Sequence, residues 1–308
     1  MGKIAFVFAG QGAQYAGMGQ SLYQASPAAK ALLNQAEALR GGTLAQCFSG
    51  SKEDLSITLN AQPCLMAVDC ACAAALMERD IQPDGLAGFS LGEVAALATG
   101  GMLPFAQAFA LVMRRAEFMH ECALQNPGGM AAVLKLQDEQ AEALCAQYGA
   151  YPVNYNCPGQ VVCAMAADRM QPFAQAVKAA GGRALPLAVS GGFHSPFMRE
   201  AAAMLRTYAQ RLSFAEPAVS LYANATCGLY TTDQAADLLG MQVDHPVRWT
   251  ELIRNMLSQG YTDFIEVGAG AVLSGLIRKI GGAGYIGHVE DEQSLCDVID
   301  HYKEAALC

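Results

Sequence analysis

The chain opens with an almost unbroken apolar run at residues 3–9, which ends at Gly10-Gln11-Gly12 and gives way to Ala-rich segments reaching about residue 39. A short run of this kind closed by glycines predicts a buried strand, a turn and then helix. Helical spacing returns over residues 62–79 and breaks at Pro83-Asp84-Gly85, ahead of a second short run, Leu86-Ala87-Gly88-Phe89. From Pro104 the apolar positions Phe105, Phe109, Val112, Ala116 and Met119 recur at helical intervals, predicting one long amphipathic helix. After Asn126-Pro127-Gly128-Gly129 the rhythm changes to strand 130–136, helix 138–148, strands 151–156 and 160–166, helix 168–180 and strand 183–189. The order βαββαβ is that of a ferredoxin-like unit. Past residue 197 the pattern predicts a helix to about residue 211, a strand near 219–222, a helix at 248–259, a strand at 264–267 and a last helical region. The expected fold class is therefore α/β: a larger α/β-hydrolase-like domain from residues 1–128 and 191–308, with an inserted ferredoxin-like (βαββαβ) subdomain at 129–190.

Composition narrows the classes of function. With 308 residues, 53% apolar and 15% charged, the chain has enough material for a large core and does not read as disordered. A net charge of -9 argues against nucleic acid or an anionic membrane as partner. The sequence shows neither a signal peptide nor a run of ~18 uninterrupted apolar residues, so a soluble, cytoplasmic protein is expected. Eleven cysteines are scattered without a CxxC, which favours small buried hydrophobes with reduced thiols over a metal or redox centre. A dinucleotide fingerprint fails, because the third glycine of GxGxxG falls at Tyr15, and at Leu273 for the later Gly268-Ala269-Gly270.

The candidate chemistry begins at Gly88-Phe89-Ser90-Leu91-Gly92, a GxSxG between a short strand and a helix. Small residues there suit a sharp turn that exposes a nucleophilic Ser90 Oγ; the structural alternative is a helix cap. Five histidines compete for the role of base. His288 and His301 have charged neighbours, His120 sits beside Glu121 and His245 precedes Pro246, whereas His194 lies in the small-residue loop Ser190-Gly191-Gly192-Phe193-His194-Ser195. His194 is the expected base. No acid between residues 91 and 193 stands out as a third triad member, so a dyad is expected, with a carbonyl fixing the imidazole tautomer. On the helix that starts after Pro104, Arg114 falls roughly 180° from the apolar stripe and Arg115 roughly 80° from it. Arg115 can thus present its guanidinium to a cleft and hold a carboxylate, or pair with a neighbouring acid.

Seven segments together resemble the malonyl-CoA:acyl carrier protein transacylases of fatty-acid and polyketide synthesis. They are Phe8-Ala9-Gly10-Gln11-Gly12-Ala13-Gln14, Gly88-Phe89-Ser90-Leu91-Gly92-Glu93, Arg115 with Phe118-Met119, residues 153–160 (VNYNCPGQ), Phe193-His194, Pro246-Val247-Arg248-Trp249 and Glu266-Val267-Gly268. The resemblance implies ping-pong transfer of malonyl from malonyl-CoA to the phosphopantetheine thiol of acyl carrier protein through Ser90. It gives the amides of Gln11 and Leu91 the oxyanion hole and gives Arg115 the malonyl carboxylate. No metal or resident cofactor is expected, since CoA and phosphopantetheine enter as substrate carriers. Phe89 stands where the family often has His, Arg248 where some relatives have Gln, and the resemblance makes the Arg248 carbonyl a candidate partner of His194. Phe193-His194 matches the malonyl-type pattern. Lys178, Arg183, Arg278 and Lys279 are candidate cations for docking an acidic carrier protein. A serine esterase or thioesterase using Ser90 and His194 with water as acceptor is the enzymatic alternative, and a carrier-binding scaffold the non-enzymatic one.

Overall fold

The computed structural model describes residues 2–189 and 191–306; Met1, residue 190 at the end of the expected insert, and residues 307–308 lie outside the described residues. The strands are β1 (Lys3–Phe8), β2 (Gly85–Gly88), β3 (Gly128–Leu134), β4 (Tyr151–Cys157), β5 (Gln160–Ala166), β6 (Arg183–Pro186), β7 (Ser220–Tyr222), β8 (Tyr261–Val267) and β9 (Tyr285–Val289). They form a mixed α/β fold with two sheets. One is parallel, in the order β7-β2-β1-β8-β9, and takes strands from both ends of the chain; the other is antiparallel, in the order β4-β5-β3-β6.

β1 is the centre of the parallel sheet, and its register sets Phe8 opposite Gly88 of β2 and Val267 of β8. Both of its faces are covered, which is why its apolar run does not alternate. The chain leaves β1 for β2 on one side and returns later to β8 on the other. The strand order thus reverses between β1 and β8, the place where open α/β sheets form a crevice at the carboxyl ends of the strands, and the loop after β2 leaves the sheet beside it.

The antiparallel sheet has two unlike faces. Ala131, Val133, Val161, Cys163 and Met165 pack with Phe173 and Val177 of the Met170–Ala179 helix, while Met130, Ala132, Val162 and Ala164 join the main core. The strand alternation thus distributes one sheet between two apolar clusters. Val247, in the loop before the Trp249–Ser258 helix, is bonded to β4, its N–H donating to Val153 O at 2.9 Å and its carbonyl accepting from Tyr155 N at 3.0 Å, while its side chain packs with Ala5, Val7 and Ala87 of the parallel sheet.

Four features depart from the pattern-based expectation. The region after β8 is not wholly helical, because β9 forms the sheet edge there. A helix at Ala235–Asp244 was not anticipated. The helix expected from residue 62 starts at Thr58, with Pro63 inside it and no side-chain cap to mark its beginning. β6 stops at Pro186 rather than residue 189.

That Thr58–Met77 helix is, among the described residues, long and apolar enough to cross a membrane, but 83% of its apolar window is buried inside the protein. It is a core helix, packed against the Pro27–Leu39 and Phe105–Gln125 helices. Among the described residues the cysteines are unpaired.

Candidate active site

Ser90 ends the turn between β2 and the Gly92–Thr99 helix. The turn is tight enough that a Cβ on Gly88 would lie 1.9 Å from the carbonyl carbon of Gly92, and one on Gly92 would lie 2.2 Å from Phe8 O. The two glycines of the motif are therefore demanded by backbone crowding. We expect Gly88→Ala to destabilise the fold by about 3 kcal/mol, measured as a lower urea midpoint; an unchanged midpoint would show that the turn can open.

The same turn forces Ser90 to φ +54°, a left-handed conformation that costs about 1–3 kcal/mol in a residue with a side chain. The cost is met by Asn224. Its Oδ1 accepts from Ser90 N at 2.7 Å and its Nδ2 donates to Gly88 O at 2.5 Å, clamping both sides of the turn. Asn224 is held in turn by Glu93, which accepts from its backbone N–H at 2.7 Å and also from the Tyr230 hydroxyl. Burial lifts the Glu93 carboxyl to about 7, against the opposing pull of these bonds and of Arg115.

His194 comes from the loop after β6 and also has a left-handed backbone, φ +62°. Its Nε2 lies 2.7 Å from Ser90 Oγ and its Nδ1 lies 2.8 Å from the carbonyl of Gln242. A carbonyl only accepts, so Nδ1 carries the proton, and Nε2 accepts from the serine hydroxyl. The partner of His194 is thus a backbone carbonyl, but it belongs to Gln242 and not to Arg248, as the motif comparison had suggested. The Arg248 carbonyl instead accepts from Leu252 N and lies 3.5 Å from Cys227 Sγ. Burial, and then the neighbouring Arg115 cation, push the imidazole down to about 3, so it is neutral at physiological pH.

The Phe105–Gln125 helix separates its two arginines as the helical arithmetic predicts. Arg114 is exposed and paired with Glu117, whereas Arg115 is 1% exposed. The Arg115 guanidinium donates to Gln62 Oε1 at 2.6 Å, to Gln242 Oε1 at 2.7 and 3.1 Å, and to Ser90 Oγ at 3.0 Å. None of the ion pairs among the described residues involves it; Glu93 acts on it electrostatically, without direct contact. Burial lowers Arg115 to about 10, leaving it charged.

The remaining expected residues lie in the same place. Gln11 follows β1 at the carboxyl end of the sheet and Leu91 opens the Gly92–Thr99 helix, where the backbone dipole favours negative charge. Among the described residues neither backbone amide has an acceptor, while the Ser90 amide is taken by Asn224. A cleft of about 210 Å³ runs from Gln11 and Phe89 past Asn154, Asn156 and Gln160 to Val272 and Leu276. The Oδ1 atoms of Asn154 and Asn156 are buried there and have no hydrogen-bond partner among the described residues. Of the other histidines, His245 turns its side chain to Asp244 and His301 stacks on Tyr285.

Several site residues were not anticipated. Gln62 had a signal, as a polar residue in a helix that is apolar all round, and Asn154 and Asn156 share a strand face two residues apart. Gln242 and Asn224 had none. The arrangement offers a hydroxyl poised to lose its proton to a neutral imidazole, with two free amides and a buried cation alongside.

Comparison with known proteins gives a consistent result. Residues 5–299 match the acyl transferase domain family. The chain is 39% identical over 290 residues to the malonyl CoA-acyl carrier protein transacylase of Bacillus subtilis, covering 91% of each. Its structure superposes on the MCAT of Streptococcus pneumoniae with TM-score 0.92 at 36% identity, covering 97% of this chain and 100% of that one. It also superposes, with TM-score 0.93 at 33% identity, on a malonyl-transacylase solved in complex with a type II polyketide acyl-carrier protein, covering 97% of this chain and 99% of that one.

Proposed function

The chain belongs to the acyl transferase family, and from that premise we propose that it moves malonyl from malonyl-CoA to the phosphopantetheine thiol of acyl carrier protein through an acyl-Ser90 intermediate. The product supplies chain extension in fatty-acid or polyketide synthesis. The observation that carries the reading is convergence on one atom: Ser90 Oγ lies 2.7 Å from His194 Nε2 and 3.0 Å from Arg115 Nη2. Nucleophile, base and a buried cation meet there, and among the described residues no carboxylate is in direct contact with that cation. A hydrolase of neutral esters has no use for that buried cation, which is costly unless an anion arrives to pair with it.

Ser90 Oγ attacks the thioester carbon as its proton passes to His194 Nε2. The Gln11 and Leu91 amides stabilise the oxyanion, and the Gln242 carbonyl steadies the imidazolium through Nδ1–H. Collapse breaks the C–S bond, and CoA leaves with the proton from His194. In the second half-reaction the phosphopantetheine thiol gives its proton to His194 and its sulfur attacks the ester. Ser90 then departs with that proton. Arg115 binds the malonyl carboxylate in both halves. The acyl group arrives and leaves on its carriers, so the reading needs no resident cofactor or metal.

Docking of the carrier is assigned to Arg183, Arg278 and Lys279. Arg183 shares a sheet rung, through Leu134, with the cleft residue Gln160, and Arg278 and Lys279 end the helix whose start lines the cleft. Lys178 is on the helix covering the opposite sheet face and is left out. We also read residues 129–190 as a ferredoxin-like subdomain inserted in an α/β-hydrolase-like domain of residues 1–128 and 191–308. The order β4-β5-β3-β6, with every pair antiparallel, and the strand-turn-helix at Ser90 support it. Free thiols are consistent with a cytoplasmic setting.

The test is intact-protein mass spectrometry of wild type and Ser90→Ala mixed with malonyl-CoA, followed by phosphopantetheinylated carrier protein. A malonyl adduct that requires Ser90 and moves to the carrier is expected. An adduct lost only to water would make the enzyme a thioesterase.

A further inference from the structure

Arg115 is a buried cation whose hydrogen-bond partners among the described residues are all neutral, and two of them are glutamine side chains from distant segments. Gln62 belongs to the Thr58–Met77 helix and Gln242 to the Ala235–Asp244 helix; both are buried. Each amide has one orientation that satisfies its surroundings. The Thr58 hydroxyl donates its single proton to Gln11 Oε1 at 2.9 Å, so it must accept from Gln62 Nε2 at 2.8 Å, which turns Gln62 Oε1 toward Arg115. Gln242 Nε2 donates to the Ser90 carbonyl, which turns Gln242 Oε1 toward Arg115 as well.

We propose that Gln62 and Gln242 are positioning residues for acyl selection: their side-chain carbonyls aim the Arg115 guanidinium at Ser90 while leaving its charge for the substrate. The inference rests on the malonyl-transfer reading and adds the reason that Arg115 is available. A carboxylate in either place would hold the guanidinium equally well, but would neutralise it and compete with the carboxylate of the acyl group. An amide carbonyl supplies direction without charge. The two amides also tie selection to catalysis. The Gln62 chain ends on Gln11, whose amide is an oxyanion donor, and the Gln242 backbone carbonyl holds His194 Nδ1.

The discriminating variant is Gln62→Glu, which keeps the shape and adds the charge. Ser90 acylation is measured with malonyl-CoA and with acetyl-CoA by quenched-flow mass spectrometry. The ratio of kcat/KM for malonyl over acetyl is expected to fall about 100-fold, with the loss in the malonyl KM. An unchanged ratio, or equal losses in kcat for both donors, overturns the proposal. Should Gln62→Glu fail to fold, Gln62→Met removes the aim without adding charge, and the ratio is expected to fall about tenfold; an unchanged ratio there overturns it equally. A wild type that never takes up malonyl would instead defeat the malonyl-transfer reading, so the two failures are distinct.

Discussion

Replacing His194 with Ala is expected to slow Ser90 acylation by malonyl-CoA by about 10,000-fold, read from the pre-steady-state adduct in quenched-flow mass spectrometry. Loss of the imidazole leaves the serine proton with no base. Arg115 contacts the same oxygen but carries only donors, and Glu93 is engaged by Tyr230 and the Asn224 amide. The residual rate is the share expected from the proposed oxyanion donors, the Gln11 and Leu91 amides, and from binding. Acylation within tenfold of wild type would move the base elsewhere. The pH profile gives a second readout. With the imidazole pushed down to about 3 by burial and Arg115, kcat/KM should show no inflection at the ordinary 6.5 of histidine. An acid limb near 7 would belong to Glu93, which burial lifts to that value, and would vanish in Glu93→Gln. The same shift has a stability consequence. The folded state binds fewer protons at His194 than the unfolded state between about 3 and 6.5, so its contribution to stability is lost as pH falls through that window.

The histidine was legible in the sequence because the chain has few alternatives and because a loop of small residues can bring an imidazole close to another backbone. Ser90 was legible for a related reason: the crowding of Gly88 and Gly92 against neighbouring backbone admits only glycine, and that leaves a mark. Arg115 was separable from Arg114 because the Phe105–Gln125 helix is buried on one face only. The Thr58–Met77 helix has no exposed face to set a direction, being buried nearly all round, so its buried glutamine stands out as polar but not as facing Arg115. The partner of His194 left no mark at all. A backbone carbonyl is the same in every residue, so its position depends on how the Ala235–Asp244 helix ends, and neither the helix nor its end was apparent. The strand β9 was missed because Tyr285–Val289 is a short edge strand, with a glycine and a half-buried histidine diluting its apolar signal.

Replacing Arg115 with Ala is expected to lower the malonyl-to-acetyl ratio of kcat/KM by about 300-fold, because the malonyl carboxylate then enters a buried site with no cation to meet it. The effect is a difference between two substrates and so survives a modest general loss of activity. Acetyl-CoA has no carboxylate to lose. In wild type it leaves the guanidinium paired only with amides and the serine, and places an uncompensated cation beside the imidazolium that forms during attack. In the proposed mechanism malonyl relieves that repulsion as it binds, since its carboxylate would neutralise Arg115 while His194 gains charge. Selectivity should therefore appear in kcat as well as KM for wild type, and removal of Arg115 should narrow the kcat gap by making His194 a stronger base. Arg115→Lys retains the charge but not the planar fork, and its ratio should fall between the two. An unchanged ratio in Arg115→Ala would remove the carboxylate from this guanidinium. It would leave the protein holding, at the cost of burial, a cation that faces its own nucleophile to no purpose.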